Sequence, residues 1–305
     1  MRRPMPERSR GFALMLVIWS LVIMLGLSAG FALAVRHETR IASDLVDAAR
    51  IDASAIAARS LALLALNQRD VEERWRPDGQ ARLLTYDGLR IVVRVRSETG
   101  RVDLNRAPRP VLVGLIEQVA PDRDFEALAD AIIDWRDRDD RRSPRGAEAD
   151  EYRDADLSYG PPNRHFRSVH ELGRVLGFDS ELSRALAPFV TVHSRRPRIN
   201  AMSAEPTVLS AIPGVDPATA ELFVTERGQS LLDGTPPPIE LLQDGRRYVE
   251  VQMDARVILM DIAVLPIDKP IYLEQVVMGM DTEQSYTLLS RNRLSAADTD
   301  RWWRP

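Results

Sequence analysis

The chain opens with a short basic segment and then runs for 24 residues, 12–35, without a single charge. At about 1.5 Å of rise per residue, a helix of that length spans a hydrocarbon core of about 30 Å, so one membrane crossing is expected. Beyond Val35 the pattern changes without stopping. Residues 36–67 contain no proline or glycine, are rich in alanine and leucine, and set Ile41, Leu45, Ala48, Ala49, Ile56 and Leu63 at helical spacing among charged positions such as Asp52 and Arg59. A flexible linker would show Ser, Gly or Pro here; the pattern predicts one helix that continues as a stem to about Asn67.

Two β-prone runs come next, at 82–86 and 89–96, joined by Asp87-Gly88, a strong hairpin signal. Ile91, Val93 and Val95 alternate with Arg90, Arg94 and Arg96, which predicts one buried face and one solvated arginine face. Residues 248–260, 271–278 and 285–289 are again strand-like, so the sheet draws strands from both sides of a long insertion. That insertion repeats itself. Leu104-Asn105-Arg106-Ala107 with Val111-Leu112 recurs 97 positions later as Ala201-Met202-Ser203-Ala204 with Val208-Leu209, and residues 129–136 recur 91 positions later as 220–227. Each copy reads as two short helices joined by a turn, the first with six more residues between its halves.

Composition narrows the chemistry. With 305 residues, 45% apolar and 28% charged, the part outside the membrane suffices for two modest domains with their own cores. The net charge is −4, and removing residues 1–11, with their four arginines and one glutamate, leaves −7, which argues against a general polyanion binder. Cysteine is absent, excluding disulfide and thiolate chemistry. His37, His165, His170 and His193 lack metal-ligand spacing, and no phosphate loop or nucleophile elbow is present, so no enzyme is expected. The arginine-rich leader places the N-terminus in the cytoplasm and sends the remainder across the membrane.

The densest chemistry runs from Asp130 to Asp156, a stretch that holds ten carboxylates with both ends counted. Asp137-Arg138-Asp139-Asp140 opens a loop that Gly146-Ala147-Glu148-Ala149-Asp150-Glu151-Tyr152 closes. Hard oxygen ligands from two ends of a loop suit calcium, and Asp137, Asp139, Asp140, Glu148, Asp150 and Glu151 are candidate ligands for one or two ions. The spacing is not that of an EF-hand. Arginines 136, 138, 141, 142, 145 and 153 offer a competing reading, a solvated loop that neutralises itself.

The Gly11-Phe12 step at the boundary of basic leader and apolar helix resembles the cleavage site of type IV pilins and type II secretion pseudopilins. The resemblance implies that a prepilin peptidase cuts after Gly11 and methylates Phe12. Most members of that superfamily carry glutamate at the fifth mature position, thought to pair with the free amine of the subunit above; this chain has Leu16, a departure that marks the K-type minor pseudopilins and suits the end of a filament with no subunit above it. Asp134-Trp135-Arg136-Asp137-Arg138-Asp139 and Gly146-Ala147-Glu148 are similar to the acidic signature that family associates with calcium, with Ala149 in place of the usual aspartate. Phe166-Arg167-Ser168-Val169-His170-Glu171-Leu172, before Leu176-Gly177, adds to the likeness, which covers nearly the whole chain.

The resemblance implies an α+β protein: a type IV pilin-like spine helix packed on an antiparallel sheet, with a large inserted α-helical domain holding two helix-hairpin-helix-like (SAM-like) units. The expected boundaries are a cleaved leader 1–11, a transmembrane half 12–35, a periplasmic stem 36–67, a first part of the sheet 68–102, the insertion 103–240 with units at 103–192 and 199–240, and the rest of the sheet with a tail at 241–305. The implied role is a non-enzymatic minor pseudopilin of the inner membrane, single-pass with its bulk periplasmic. It would initiate or cap the secretion pseudopilus with I- and J-type partners, with the major pseudopilin and exported proteins as further contacts. The alternative is a membrane-anchored DNA receptor of the competence type, which also joins a membrane helix to helix-hairpin-helix modules. Against nucleic acid stand Asp216, where DNA-binding versions carry glycine, and the balance of four arginines and four acids from Arg195 to Gln229.

Overall fold

A computed structural model describes residues 10–70, 73–252, 256–265, 272–281 and 285–294. The leader up to Ser9, the strand start expected at Ile271 and the tail beyond Leu294 lie outside the described residues. The chain divides into two compact units, residues 1–56 and 57–305.

The first unit is helix α1 (Arg10–Leu66) up to Ile56. It contains a stretch long and apolar enough to cross a membrane, and Leu16, Val17, Ile18, Trp19 and Leu21 are all exposed on it. Two of its hydroxyls bond back to the helix: Ser20 Oγ donates to the Leu16 carbonyl at 2.8 Å and Thr39 Oγ1 to that of Val35 at 3.0 Å, the back-bonding that lets hydroxyls sit in an apolar helix. Ile41, Leu45 and Val46 remain exposed beyond the uncharged run.

In the second unit the end of α1 turns a face of small residues inward, with Ala58 and Ala62 fully buried and Leu66 nearly so. An ion pair of 3.5 Å from Arg59 to the buried Glu274 fastens it to a five-stranded antiparallel sheet. The strands are β1 (Asp78–Tyr86), β2 (Leu89–Ser97), β7 (Val257–Leu265), β8 (Tyr272–Met280) and β9 (Tyr286–Leu294), in the order β1-β2-β7-β8-β9. Asp87-Gly88 forms the expected turn, both residues at positive φ, and the Tyr86↔Leu89 pair closes the hairpin. Ile91, Val93 and Val95 form the fully buried face of β2. The helix, the antiparallel sheet and the further helices together give the α+β fold.

Everything between Ser97 of β2 and Val257 of β7 is an excursion from two neighbouring strands, since Ser97 pairs with Ile258. Its elements are β3 (Val102–Asp103), α2 (Arg109–Val119), α3 (Phe125–Arg136), α4 (Ala149–Asp154), α5 (Ser180–Leu186), β4 (Val190–Thr191), β5 (Ile199–Asn200), α6 (Pro206–Ser210), α7 (Pro217–Asp233) and β6 (Val249–Glu250). One apolar core runs through it, including Leu112, Ile116, Ile132, Trp135, Leu209 and Phe223. Gly114 of α2 lies so close to the backbone at Ala211 that a Cβ there would stand 2.2 Å from the Ala211 carbonyl oxygen, so only glycine lets the two copies meet.

Two strand-level expectations change. The run at 248–260 is not one strand: Val249–Glu250 pairs in parallel with β5 inside the excursion, and the sheet resumes at Val257. Nor is Arg96 part of a solvated arginine face. It is largely buried, ion-paired to Asp261 at 2.8 Å and to Glu205 at 2.5 Å, because the excursion folds back over the end of β2 and supplies Glu205.

Candidate functional site

The two copies are built around the same device. Arg136, the last residue of α3, donates to the carbonyls of Leu104 and, at 2.7 Å, of Ala107. Arg227 of α7 donates to the carbonyls of Ala201 and, at 2.9 Å, of Ala204. All four carbonyl-bearing residues are buried, so each guanidinium satisfies acceptors that water cannot reach. Burial pushes both arginines below their ordinary value, Arg227 to about 10. The preceding turns match as well: Asp103 Oδ1 accepts from Asn105 N at 2.8 Å, and Asn200 Oδ1 from Met202 N at 3.1 Å.

The copies part after the clamp. After Arg136 the first enters the acidic loop, which folds onto an aromatic floor where Trp135 lies 6.0 Å from Phe166 and 6.2 Å from Tyr152, centroid to centroid. Asn105 ties down Phe166 by two hydrogen bonds, and Tyr152 accepts from Leu176 N at 2.9 Å, so residues far along the chain close over the acidic segment. Asp134 is fully buried and organises the loop by accepting from Ser143 N at 3.1 Å; burial raises its pKa. Gly146 is required beside it, since a Cβ there would stand 2.0 Å from Asp134 Oδ2.

Glu148, the N-cap of α4, is only 7% exposed; its carboxylate faces the Glu151 N–H in a capping box, but neither oxygen makes a cap hydrogen bond. Only its backbone N–H is capped, by Glu151 Oε2 at 3.0 Å. Burial, and then the charges of Asp134, Asp137, Asp140 and Asp139, push its carboxyl up to about 7. Asp137 is raised for the same reasons, burial first and then Asp139 and Asp134, and its Oδ1 is also buried without a partner. A fourth such oxygen is Oδ1 of Asn163, whose Nδ2 donates to Asp140 Oδ1 at 2.7 Å.

Of the six carboxylates expected to bind calcium, Asp137, Asp139, Asp140 and Glu148 thus interact across the loop. Asp139 accepts from Arg141 N at 3.0 Å. Asp150 and Glu151 face elsewhere: Asp150 is exposed and paired with Arg153 at 2.7 Å, and Glu151 is paired with Arg142 at 2.5 Å. Four buried oxygens lacking donors, from two carboxylates and one amide, fit a hard cation that takes six to eight oxygen ligands. Among the described residues no three His, Asp or Glu side chains stand at metal-binding spacing. Asn163 sits after Pro161-Pro162, in a segment that reads as a rigid connector; its only sequence signal is an asparagine following two prolines.

In the second copy, Asp216 caps α7, accepting from Thr219 N at 3.0 Å and Thr219 Oγ1 at 2.6 Å, and these bonds lower its pKa. An ionised carboxylate therefore occupies the helix N-terminus that a phosphate would need. His165 and His170 are exposed on the loop and short helix that lead out of the acidic segment.

A long N-terminal helix, an antiparallel sheet and a helical domain inserted between two neighbouring strands make up the α+β fold. Residues 92–195, the last strand before the insertion together with its first copy, match the family model for protein K of the type II secretion system (T2SS). Through this domain the chain is similar to protein K of the type II secretion system. It is 30% identical to type II secretion system protein K of Pseudomonas aeruginosa over 159 residues, 47% of this chain and 46% of that protein. It is 33% identical to the protein K of Dickeya chrysanthemi over 101 residues, 28% of this chain and 27% of that protein. The chain thus aligns with less than half the length of these relatives. Its fold is similar to that of a chain in the crystal structure of the GspK-GspI-GspJ complex from the enterotoxigenic Escherichia coli type 2 secretion system. The TM-score is 0.59 at 19% identity, over 82% of this chain and 98% of that one. These relatives are components of a secretion apparatus and are not known as enzymes.

Proposed function

We propose that this chain is a minor pseudopilin that sits at the tip of a type II secretion pseudopilus. There it would initiate or cap assembly with I- and J-type partners for export of folded proteins across the outer membrane. The observation that carries this reading is the protein K match over residues 92–195, in a domain inserted into a pilin-like sheet. The I- and J-type partners come from the related GspK-GspI-GspJ complex. Leu16 supports the tip position: no carboxylate at that place seeks the amine of a subunit above. The exposed apolar residues Ile41, Leu45 and Val46 of the stem give neighbouring spine helices something to bury. The N-terminus would begin in the cytoplasm, a prepilin peptidase would cut after Gly11, and the mature chain would start at Phe12 with its bulk in the periplasm.

Co-expression with I- and J-type pseudopilins and an active prepilin peptidase tests this directly. The chain should co-purify from membranes with both, its N-terminus at Phe12, and should form no long filaments alone. Purification free of both partners, or homopolymers of the wild-type chain in the electron microscope, would reject the tip reading. Replacing Gly11 by a bulky residue should leave the leader attached.

The buried oxygens of Glu148, Asp137 and Asn163 favour a second element of the reading, that the acidic loop holds calcium. Glu148, Asp137 and Asp140 would hold the ion, with Asp139 beside them. Bound calcium would supply positive charge that removes their mutual repulsion and fixes the loop. The competence-type DNA reading finds no support at Asp216, where the ionised cap repels phosphate.

A further inference from the structure

We infer that Asn163 supplies a neutral oxygen to the calcium site, so that ion binding ties the proline-rich connector at 157–164 to the acidic loop. The inference rests on the calcium reading above and adds to it a residue that belongs to neither end of the loop. Three observations carry it. Asn163 holds a left-handed backbone, φ 48°, which side chains adopt reluctantly and asparagine more readily than most. Its Nδ2 donates to Asp140 Oδ1 at 2.7 Å, which fixes the orientation of the amide: a flipped group would set two acceptor oxygens against each other. With the amide so fixed, Oδ1 is buried and accepts from nothing.

A residue needed only for the turn would gain from being glycine, which adopts positive φ freely and buries no orphan carbonyl. Asparagine at this place brings an amide into an acidic cluster and leaves its oxygen without a donor, beside a carboxylate whose charge reaches Glu148. A hard cation would satisfy Oδ1 together with the unpartnered oxygens of Glu148 and Asp137, since a neutral carbonyl adds a ligand without adding repulsion. The connector is anchored at its start, where Tyr159 lies edge-on to Tyr152 at 5.8 Å, so an ion held by Asn163 would fasten both of its ends.

The test uses the full chain in detergent, stripped of metal with a chelator and titrated with calcium chloride by calorimetry. Amide hydrogen exchange is followed across residues 157–164. N163G keeps the backbone conformation and removes the amide; N163D keeps a ligand oxygen and removes the Nδ2 donor. N163G should bind calcium about tenfold more weakly than wild type, while melting at the same temperature without metal. N163D should bind more tightly than N163G. Calcium should slow exchange at 157–164 in wild type and not in N163G. Equal affinity and equal protection in wild type and N163G would overturn the role of Asn163 while leaving calcium binding in place. If wild type itself shows no binding heat, the calcium reading falls, and the role of Asn163 with it.

Discussion

The two copies of the inserted unit share a scaffold and diverge at its end. Arg136 and Arg227 stand at equivalent places and clamp equivalent carbonyls, yet after Arg136 the chain enters a loop crowded with carboxylates, whereas α7 simply runs on to Asp233 and ends at Gly234 with φ 67°. The shared part is needed for each helix pair to fold, because buried carbonyls left without donors are costly in either copy. The unshared part cannot be explained in that way. Buried, unpaired carboxylate oxygens at Glu148 and Asp137 weaken the fold, and the second copy shows that the scaffold stands without them. The difference separates the architecture common to both copies from the acidic chemistry particular to the first.

Breaking the shared device should have the largest effect. Arg136→Ala and Arg227→Ala each leave two buried carbonyls without a donor and should cost about 2–4 kcal/mol, read as a lower denaturant midpoint. The two losses should be similar, and the loss at Arg227 should be independent of calcium. A neutral Arg227→Ala would show that the copies are not held in the same way.

The next effect belongs to the first copy alone. The Glu148 carboxyl is pushed up to about 7 in the fold, against 4.5 unfolded. Between those values the native state keeps a proton that the unfolded chain has lost, so stability falls as pH rises from about 4.5 to about 7 and levels off above. The slope is at most about 1.4 kcal/mol per pH unit. Melts in chelator should show this fall, and Glu148→Gln should abolish it. A pH-independent stability in that window would place the charge elsewhere. Smallest is the cap of the second copy: Asp216→Ala should cost about 1 kcal/mol and leave any calcium response unchanged. A lost calcium response in that variant would mean that the copies are coupled.

Much of the fold was legible in the sequence wherever the signal was local. The uncharged run, the Asp-Gly hairpin and the offsets of 97 and 91 between repeats rest on neighbours along the chain, and the helix, strands and paired clamps accord with them. The features that escaped were set by distant partners. The pattern of β2 reads Arg96 as solvated because its partners, Glu205 and Asp261, lie in segments far along the chain. The run at 248–260 looks like one strand because β-propensity does not say which sheet a residue joins, and β5 claims Val249–Glu250 first. Within the acidic loop, composition identified the carboxylates but could not separate Asp150 and Glu151, which pair with arginines, from Glu148, whose carboxylate oxygens accept from nothing. Asn163 was illegible for the same reason.

The pairing of β2 with β7 has a mechanical consequence. Load applied between α1 and β9 enters β2 at Leu89 and leaves β7 at Leu265, two ends that lie side by side, while the inserted domain hangs from the opposite end, at Ser97 and Ile258. Eight registered pairs stand between the load and the domain. Tension along the polypeptide would therefore have to unzip that ladder before it reached the clamps or the acidic loop. The inserted domain is a passenger on the load path, left undisturbed while the sheet bears the strain.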